Sequence, residues 1–188
     1  MPVNATATRE AIVSRAVEVA STDGLEGLTI GRLAGELGLS KSGLFGHFGS
    51  KEQLQLAAIE EAGRVFRREV VDPALEEKPG AARLRALCER YLDHLERCSF
   101  PGGCFWAAAA TEFDGRPGPV RDAIHGAVAA WLEGLEREAR AAGVDDPAQL
   151  AFEVYSFALA ANLRYQLMHD ERAFQLARKA LLERLPER

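Results

Sequence analysis

Residues 28–54 read LTIGRLAGELGLSKSGLFGHFGSKEQL, and this stretch decides the fold of the chain. Apolar residues recur at helical spacing in its first part, at Ile30, Leu33, Ala34 and Leu37. This periodicity predicts one amphipathic helix. Gly38 follows directly, and glycine takes the left-handed conformation that ends a helix without steric cost. We therefore predict a helix that ends at a tight turn.

Hydroxyl side chains mark where the helices of this stretch begin. Thr29 precedes the first helix, Ser40 the second and Ser50 the third. Each hydroxyl can accept a hydrogen bond from a free backbone amide one turn into its helix. Gly49 ends the second helix soon after it begins. Two short helices joined by a tight turn are typical of a helix-turn-helix, which sets one helix into the major groove of DNA.

An upstream helix completes the predicted unit. Residues 8–22 carry one apolar face, formed by Ile12, Ala16, Val19 and Ala20, and Gly24 follows them. Glycine at that position predicts the end of the helix. We therefore predict that residues 1–55 form a DNA-binding domain of three helices.

The same stretch resembles the DNA-binding signature of the TetR family of bacterial transcription regulators. The residues that carry the resemblance lie in 29–54 and include Ser40, Lys41, Leu44, Phe45, His47, Phe48, Lys51 and Leu54. Residues 101–121, PGGCFWAAAATEFDGRPGPVR, resemble one subgroup of the C-terminal domains of this family. The resemblance implies an all-α homodimer that places one recognition helix per subunit in successive major grooves of double-stranded DNA.

The resemblance also implies which residues contact DNA. Ser40, Ser42 and the first amides of the recognition helix would bind phosphate, since a helix N-terminus presents free N–H groups. Lys41 and His47 would lie in or beside the groove, and Lys51 would reach a backbone phosphate. The full predicted set is Thr29, Arg32, Ser40, Lys41, Ser42, Gly43, Phe45, Gly46, His47 and Lys51.

Two positions depart from the family pattern. Phe45 stands where the family often has tyrosine, so a hydroxyl that would bond phosphate is missing. Gly46 stands where a longer side chain commonly reaches DNA. We expect base recognition to depend on few side chains, namely Lys41, Ser42 and His47, together with close backbone approach and DNA shape. The alternative is a helical ligand-binding protein of the same fold that has lost specific DNA binding.

The charge argues against a non-specific nucleic-acid binder. The chain has a formal net charge of −5 and a pI near 5.5. Residues 1–55 carry five Lys or Arg against six Asp or Glu, a balance of −1. Because few cations are available to replace counterions on DNA, we expect modest non-specific affinity and a shallow dependence on salt.

The remainder of the 188-residue chain reads as helices, without a convincing strand pattern. Residues 76–80, EEKPG, mark a break, and we expect about nine helices in all. Residues 56–188 form the predicted C-terminal ligand-binding and dimerisation domain. Residues 150–168, LAFEVYSFALAANLRYQLM, are apolar around most of a helix. One face therefore packs inward and another against a second subunit, which predicts a homodimer through the last two helices. The alternative is a central core helix in a monomer.

Regulators of this family usually bind a small-molecule effector in the C-terminal domain, so the resemblance implies a ligand site. Ala107–Ala110 remove side-chain volume beside bulky aromatic residues, which favours a cavity. The predicted lining is Phe105, Trp106, Phe113, Trp131, Phe152, Tyr155 and Tyr165, with His125, Asn162 and Arg164 as polar anchors. Aromatic residues at helical spacing are commonly core residues, so about half of these seven would serve packing alone.

Other function classes find little support in the sequence. There is no glycine-rich phosphate loop, no nucleophile elbow and no Glu-x-x-His pair, so we expect neither an enzyme nor a metal or cofactor site. The first residues lack the apolar core of a signal peptide, and the longest apolar stretch is too short to span a bilayer. Three cysteines without paired spacing fit a reducing cytoplasm. A thiol switch at Cys98 and Cys104 is the less favoured alternative to a structural role.

Overall fold

The computed structural model describes residues 5–186 and is all-helical over that range. Nine helices account for the described fold, as the sequence predicts: α1 Ala5–Gly27, α2 Ile30–Leu37, α3 Lys41–Phe48, α4 Lys51–Phe66, α5 Ala81–Glu96, α6 Phe105–Phe113, α7 Pro119–Ala141, α8 Pro147–Met168 and α9 Ala173–Leu182. A π-helical turn, Arg67–Val71, and a single turn, Asp72–Ala74, continue α4 before the predicted break. In the part of the chain that the structure describes, no helix has the length and apolarity needed to cross a membrane.

The helix boundaries around the predicted turn are confirmed. The Thr29 hydroxyl accepts a hydrogen bond from the amide of Arg32 at 3.2 Å, and the Ser40 hydroxyl accepts one from Gly43 at 3.0 Å. Gly38 ends α2 with a φ of 65°, the left-handed conformation that the sequence predicts. These local interactions fix the angle at which α3 leaves α2.

Helix α1 is interrupted at Gly24, where φ is 76°. This confirms that glycine stops the regular helix after residue 22. The residues beyond it form one further turn, and Leu25 and Leu28 are fully buried. The interruption therefore directs two apolar side chains into the core behind α2 and α3.

The chain divides into two compact units. The first contains the chain up to Arg64 together with Phe100–His125, and the second contains Val65–Ser99 and the chain from Gly126 onward. Helix α6 and the start of α7 thus belong to the same unit as the three N-terminal helices. The functional division into residues 1–55 and 56–188 stays a prediction.

Each unit has its own apolar core. The core of the first unit is built from Ile12, Leu28, Leu33, Leu44 and Leu54, all fully buried. The core of the second unit includes Leu84, Tyr91, Leu95, Val154 and Phe174. Burial of each such side chain stabilises the folded state by about 1.5–3 kcal/mol relative to leaving it exposed.

Candidate functional sites

Helix α3 turns one face to the core and the other to solvent. Leu44 and Phe48 are buried and hold the helix from behind. The opposite face carries a set of exposed residues, Lys41, Ser42, Gly43, Phe45 and Gly46. Phe45 is 54% exposed. The face that the sequence assigns to DNA is therefore free of packing within its own unit.

The N-terminus of α3 carries several hydrogen-bonding groups. The Ser40 hydroxyl accepts from the Gly43 amide and lies 3.3 Å from the Ser42 hydroxyl. A hydroxyl that accepts one hydrogen bond can still donate its proton, and the opening amides add the positive end of the helix dipole. A phosphate group placed here would find several donors at once.

The two glycines of α3 differ in their surroundings. A Cβ atom at Gly43 would lie 3.0 Å from the Ser40 hydroxyl oxygen, so a side chain there would crowd the helix cap. A Cβ atom at Gly46 would meet nothing within 4 Å. Packing therefore explains the glycine at position 43, whereas position 46 is open on the outer face.

Arg32 is held by carboxylates. Its guanidinium pairs with Asp23 and, at 2.9 Å, with Glu36. Arg15 also pairs with Glu36, at 2.8 Å. The hydrogen bonds from Arg32 and then Arg15 keep the pKa of Glu36 below its usual value, so this carboxylate stays charged. Contact of Arg32 with a phosphate would require it to leave these partners.

Lys51 is also engaged. Its ammonium donates to the backbone carbonyl and to the carboxylate of Glu26, each at 2.8 Å. The hydrogen bond from Lys51 is the main reason why the pKa of Glu26 lies below its usual value. Among the cations predicted to contact DNA, only Lys41 forms no ion pair with another described residue. Its side chain lies beside the backbone of Gly31.

A contact that the sequence did not reveal joins α6 to the kink in α1. The Glu112 carboxylate accepts from the amides of Leu25 and Glu26 at 2.7 and 2.9 Å. Gln55, on α4, contacts the same kink: its buried side-chain amide donates a hydrogen bond to the Leu25 carbonyl at 2.8 Å. Glu26 in turn holds Lys51 at the start of α4, so one network links α6, α1 and α4.

The predicted ligand residues of the first unit are mostly packed. Phe105 is 1% exposed, and its ring contacts those of Phe100 and Trp106 at centroid distances of 5.7 and 5.3 Å. The Arg116 guanidinium lies 5.4 Å from the centroid of the buried Phe113 ring. The last predicted residue of this unit, His125, is exposed. The structure therefore brings Phe105 and Trp106 together, whereas His125 faces solvent.

In the second unit, Trp131 lies in an aromatic cluster that the sequence did not predict as a group. Its ring makes edge contacts with Phe66 and Tyr91 at 5.0 and 5.1 Å, and Phe66 contacts His94 at 5.5 Å. The indole nitrogen of Trp131 is buried and has no hydrogen-bond partner among the described residues. A buried donor without a partner carries a cost that a bound acceptor would remove.

His94 gives this cluster a polar edge. Its Nδ1 lies 2.8 Å from a carboxylate oxygen of Glu69, in the π-helical turn after α4. Burial lowers the pKa of His94, although the neighbouring carboxylate opposes the effect. Burial alone would raise the pKa of Glu69, but hydrogen bonds from Ser99 and His94 outweigh it and lower that pKa. A neutral His94 that donates a hydrogen bond to the Glu69 carboxylate accounts for the lowered pKa of each group.

The other predicted ligand residues of the second unit lie on α8. Arg164 pairs with Asp170 at 2.5 Å, and the Tyr165 ring makes a tilted contact with that of Phe174 at a centroid distance of 5.3 Å. Tyr155 and Asn162 are half-buried, and Phe152 is 65% exposed. Their role in ligand binding stays a prediction. Phe66, Tyr91 and His94 were missed because their helical spacing is that of ordinary core residues.

The last two helices expose an apolar surface. We call it the α8–α9 surface, and its exposed members are Phe152, Leu163, Leu167, Met168, Leu176 and Leu182. On α8, Phe152, Leu163 and Leu167 are separated by 11 and 4 residues, which are close to whole numbers of helical turns, so these three share one face. Contiguous exposed apolar stripes commonly mark an interface.

Comparison with known families decides the identity. A family model described as "Bacterial regulatory proteins, tetR family" matches residues 12–58, and one described as "Tetracyclin repressor-like, C-terminal domain" matches residues 80–181. The chain belongs to the TetR family. The first match contains α2 and α3, and the second contains α5 to α8 and most of α9. No curated protein sequence matches this TetR-family chain significantly.

Solved structures share the TetR fold at low sequence identity. A TetR regulator from Chloroflexus aurantiacus is 23% identical over 95% of this chain and 94% of its own, with a TM-score of 0.86. A TetR regulator from Legionella pneumophila is 18% identical over 99% of this chain and 100% of its own, with a TM-score of 0.82. AibR, solved in complex with isovaleryl coenzyme A and operator DNA, is 20% identical over 94% of this chain and 97% of its own, with a TM-score of 0.74.

Proposed function

We propose that this TetR-family protein is a homodimeric repressor that binds a palindromic operator and is released from it by a small-molecule effector. The observation that carries the proposal is the outer face of α3, where Lys41, Ser42 and Phe45 are exposed while Leu44 and Phe48 anchor the helix. Because its partner is DNA, we place the protein in the cytoplasm.

The arrangement of α3 supports binding in a major groove. The Ser40 and Ser42 hydroxyls and the first amides of the helix supply phosphate donors at one end. The missing side chains at Gly43 and Gly46 leave room for the helix backbone to approach the bases. AibR has the same fold and was solved with operator DNA, which supports the same mode of binding here.

The α8–α9 surface supports a homodimer. Leu167 and Phe152 are 68% and 65% exposed on one helix. A two-fold dimer formed through this surface would present two copies of α3, which matches the symmetry of a palindromic site.

The aromatic cluster around Trp131 supports a ligand site in the second unit. The indole N–H of Trp131 has no partner within residues 5–186, and the His94–Glu69 pair adds hydrogen-bonding groups beside the rings. An uncharged or weakly polar, partly aromatic effector with a hydrogen-bond acceptor fits this chemistry. Binding that favours a different separation of the two α3 helices would lower DNA affinity.

The decisive test of DNA recognition is the selection of bound sequences from random duplex DNA by the full-length protein. We expect a palindrome whose half-sites lie about one helical turn apart. Failure to enrich any sequence at low salt would instead favour the second candidate, a ligand-binding protein that kept the fold but lost DNA recognition. Phe45 and Gly46 are the observations that keep this candidate open.

Substitution of the unpaired lysine tests which helix binds. Lys41→Ala should weaken binding to the selected duplex and make its dependence on salt shallower, because a dimer loses two cations beside the DNA. Lys78→Ala is the matched control, since Lys78 is an exposed lysine of the other unit. Equal affinity of the two variants would show that α3 is not the recognition helix.

The dimer is tested by charge placed on the apolar stripe. Leu167→Glu should shift the protein to a monomer in sedimentation equilibrium and abolish operator binding. Leu75→Glu is the control, because Leu75 is an exposed leucine, 42% accessible, that lies outside the last two helices. A dimer that survives Leu167→Glu would place the subunit interface elsewhere.

A further inference from the structure

Phe45 is an exposed aromatic residue that the fold itself does not require. It is 54% exposed, although its neighbours Leu44 and Phe48 are buried. It makes no ring contact with any described residue. About half of this apolar ring is left in water on the outer face of a short helix, so burial of the rest requires a partner from outside its own unit.

The surroundings of Phe45 favour a close approach by that occupant. Gly43 and Gly46 flank it on the outer face, and a side chain at Gly46 would have empty space around it. The phenyl ring is therefore the bulkiest group on that face of α3. If α3 lies in the major groove, the Phe45 ring reaches the edges of the bases before the peptide backbone of α3 does.

The major groove offers few apolar groups to such a ring. Base edges present hydrogen-bond donors and acceptors there, and the exception is the C5-methyl group of thymine. A phenyl ring has no donor or acceptor, so it gains free energy only where it displaces water from another apolar group. A carbonyl or amino edge beneath the ring would lose its own hydrogen bond to water.

We propose that Phe45 is a specificity-determining residue that reads the C5-methyl group of a thymine in each half-site. This inference rests on the proposed function, because it requires α3 to enter the major groove. It differs from a phosphate contact, which positions the protein but carries no sequence information. The site bound by this protein therefore contains a thymine at a symmetric position in both halves.

The test uses the full-length protein and the best duplex recovered from the random-sequence selection. Each thymine is replaced in turn by deoxyuridine, which removes only the methyl group and keeps every hydrogen-bonding atom. We expect one symmetric pair of positions at which the replacement lowers affinity by about fourfold per half-site, the effect of one buried methyl group. Replacement at the other thymines should change affinity less.

Two variants show whether Phe45 is responsible. Phe45→Ala should bind the thymine and deoxyuridine duplexes equally, whereas Phe45→Leu should keep part of the difference. Position 45 lies on the exposed face of α3, so both variants should fold, and circular dichroism verifies that they do. A methyl effect that persists in Phe45→Ala would overturn the assignment.

Failure of this inference can be distinguished from failure of the proposed function. If the protein binds a specific duplex but no deoxyuridine replacement matters, or if the selected site lacks thymine, Phe45 does not read a methyl group while the regulator assignment stands. If no duplex is selected at all, both are overturned.

Discussion

The Glu112 carboxylate gives the sharpest stability prediction, because its two hydrogen bonds join α6 to the kink of α1. It accepts from Leu25 at 2.7 Å and from Glu26 at 2.9 Å. Hydrogen bonds to a charged group contribute about 1.5–3 kcal/mol each. Since Glu112 is only half-buried, we take the lower end, and Glu112→Ala should destabilise the protein by about 2–3 kcal/mol.

The substitution should be visible in thermal unfolding. At about 2–4 °C per kcal/mol for a chain of this size, Glu112→Ala should lower Tm by about 5–10 °C in circular dichroism. Glu112→Gln keeps one acceptor oxygen, so it should lose about half as much. The control is Glu60→Ala, since Glu60 is an exposed carboxylate on α4 of the same unit. A Tm for Glu112→Ala equal to that of the control would refute the reasoning.

Gly24 allows a second, independent check of the same contact. A Cβ atom at Gly24 would lie 2.8 Å from a Glu112 oxygen, and its φ of 76° disfavours any side chain. Gly24→Ala should therefore be destabilising, but less so in the Glu112→Ala background, where the clash is absent. A double-mutant cycle in urea measures this difference directly. Strict additivity of the two substitutions would mean that they do not meet.

The thiols, the buried histidine and the paired arginine each give a further expectation. Burial raises the pKa of Cys88 to about 12, so a maleimide near neutral pH should label the half-buried Cys98 and spare Cys88 until the protein is denatured. Burial lowers the pKa of His94. The unfolded chain then binds the proton more readily, so the free energy of unfolding should fall as pH drops below about 6.5, and His94→Gln should flatten this dependence. Arg32→Ala should weaken operator binding less than Lys41→Ala, because Arg32 is already paired with two carboxylates.

The helix-turn-helix could be predicted in detail because its determinants are local. The hydroxyl caps at Thr29 and Ser40 act on amides three residues away, and Gly38 needs no distant partner to adopt its φ. Helix propensity, capping and apolar spacing all act within one or two turns. The sequence therefore contains all the information that places α3 with its outer face exposed.

The electrostatics of the same surface could not be predicted, because they depend on residues that only the fold brings together. Arg32 was expected at the DNA, but it reaches back to Asp23 on α1. Lys51 was expected on a phosphate, but it holds Glu26. A charged side chain on a helix gives no sign of which distant carboxylate lies within reach. Only the near balance of charge in residues 1–55 hinted that few cations are free.

The candidate ligand site was the least predictable part for a related reason. The sequence identifies aromatic residues but not which of them meet, and it did not indicate that Trp131 contacts Phe66 and Tyr91. A core aromatic and a ligand-lining aromatic follow the same helical spacing. A feature that sets Trp131 apart is its buried indole nitrogen, which has no hydrogen-bond partner among the described residues, and such a feature appears only in three dimensions.

The network from Glu112 to Lys51 bears on how the recognition helix is held. Glu112 fixes the amide of Glu26, and Glu26 fixes Lys51 at the first turn of α4, immediately after α3. A shift of α6 would therefore disturb the position of Lys51 without touching α3 itself. Because the kink at Gly24 frees the two amides that Glu112 binds, a single glycine creates the attachment point. The kink in α1 thus connects α6 to the helices of the DNA-binding region. The connection consists of directional hydrogen bonds in addition to apolar packing.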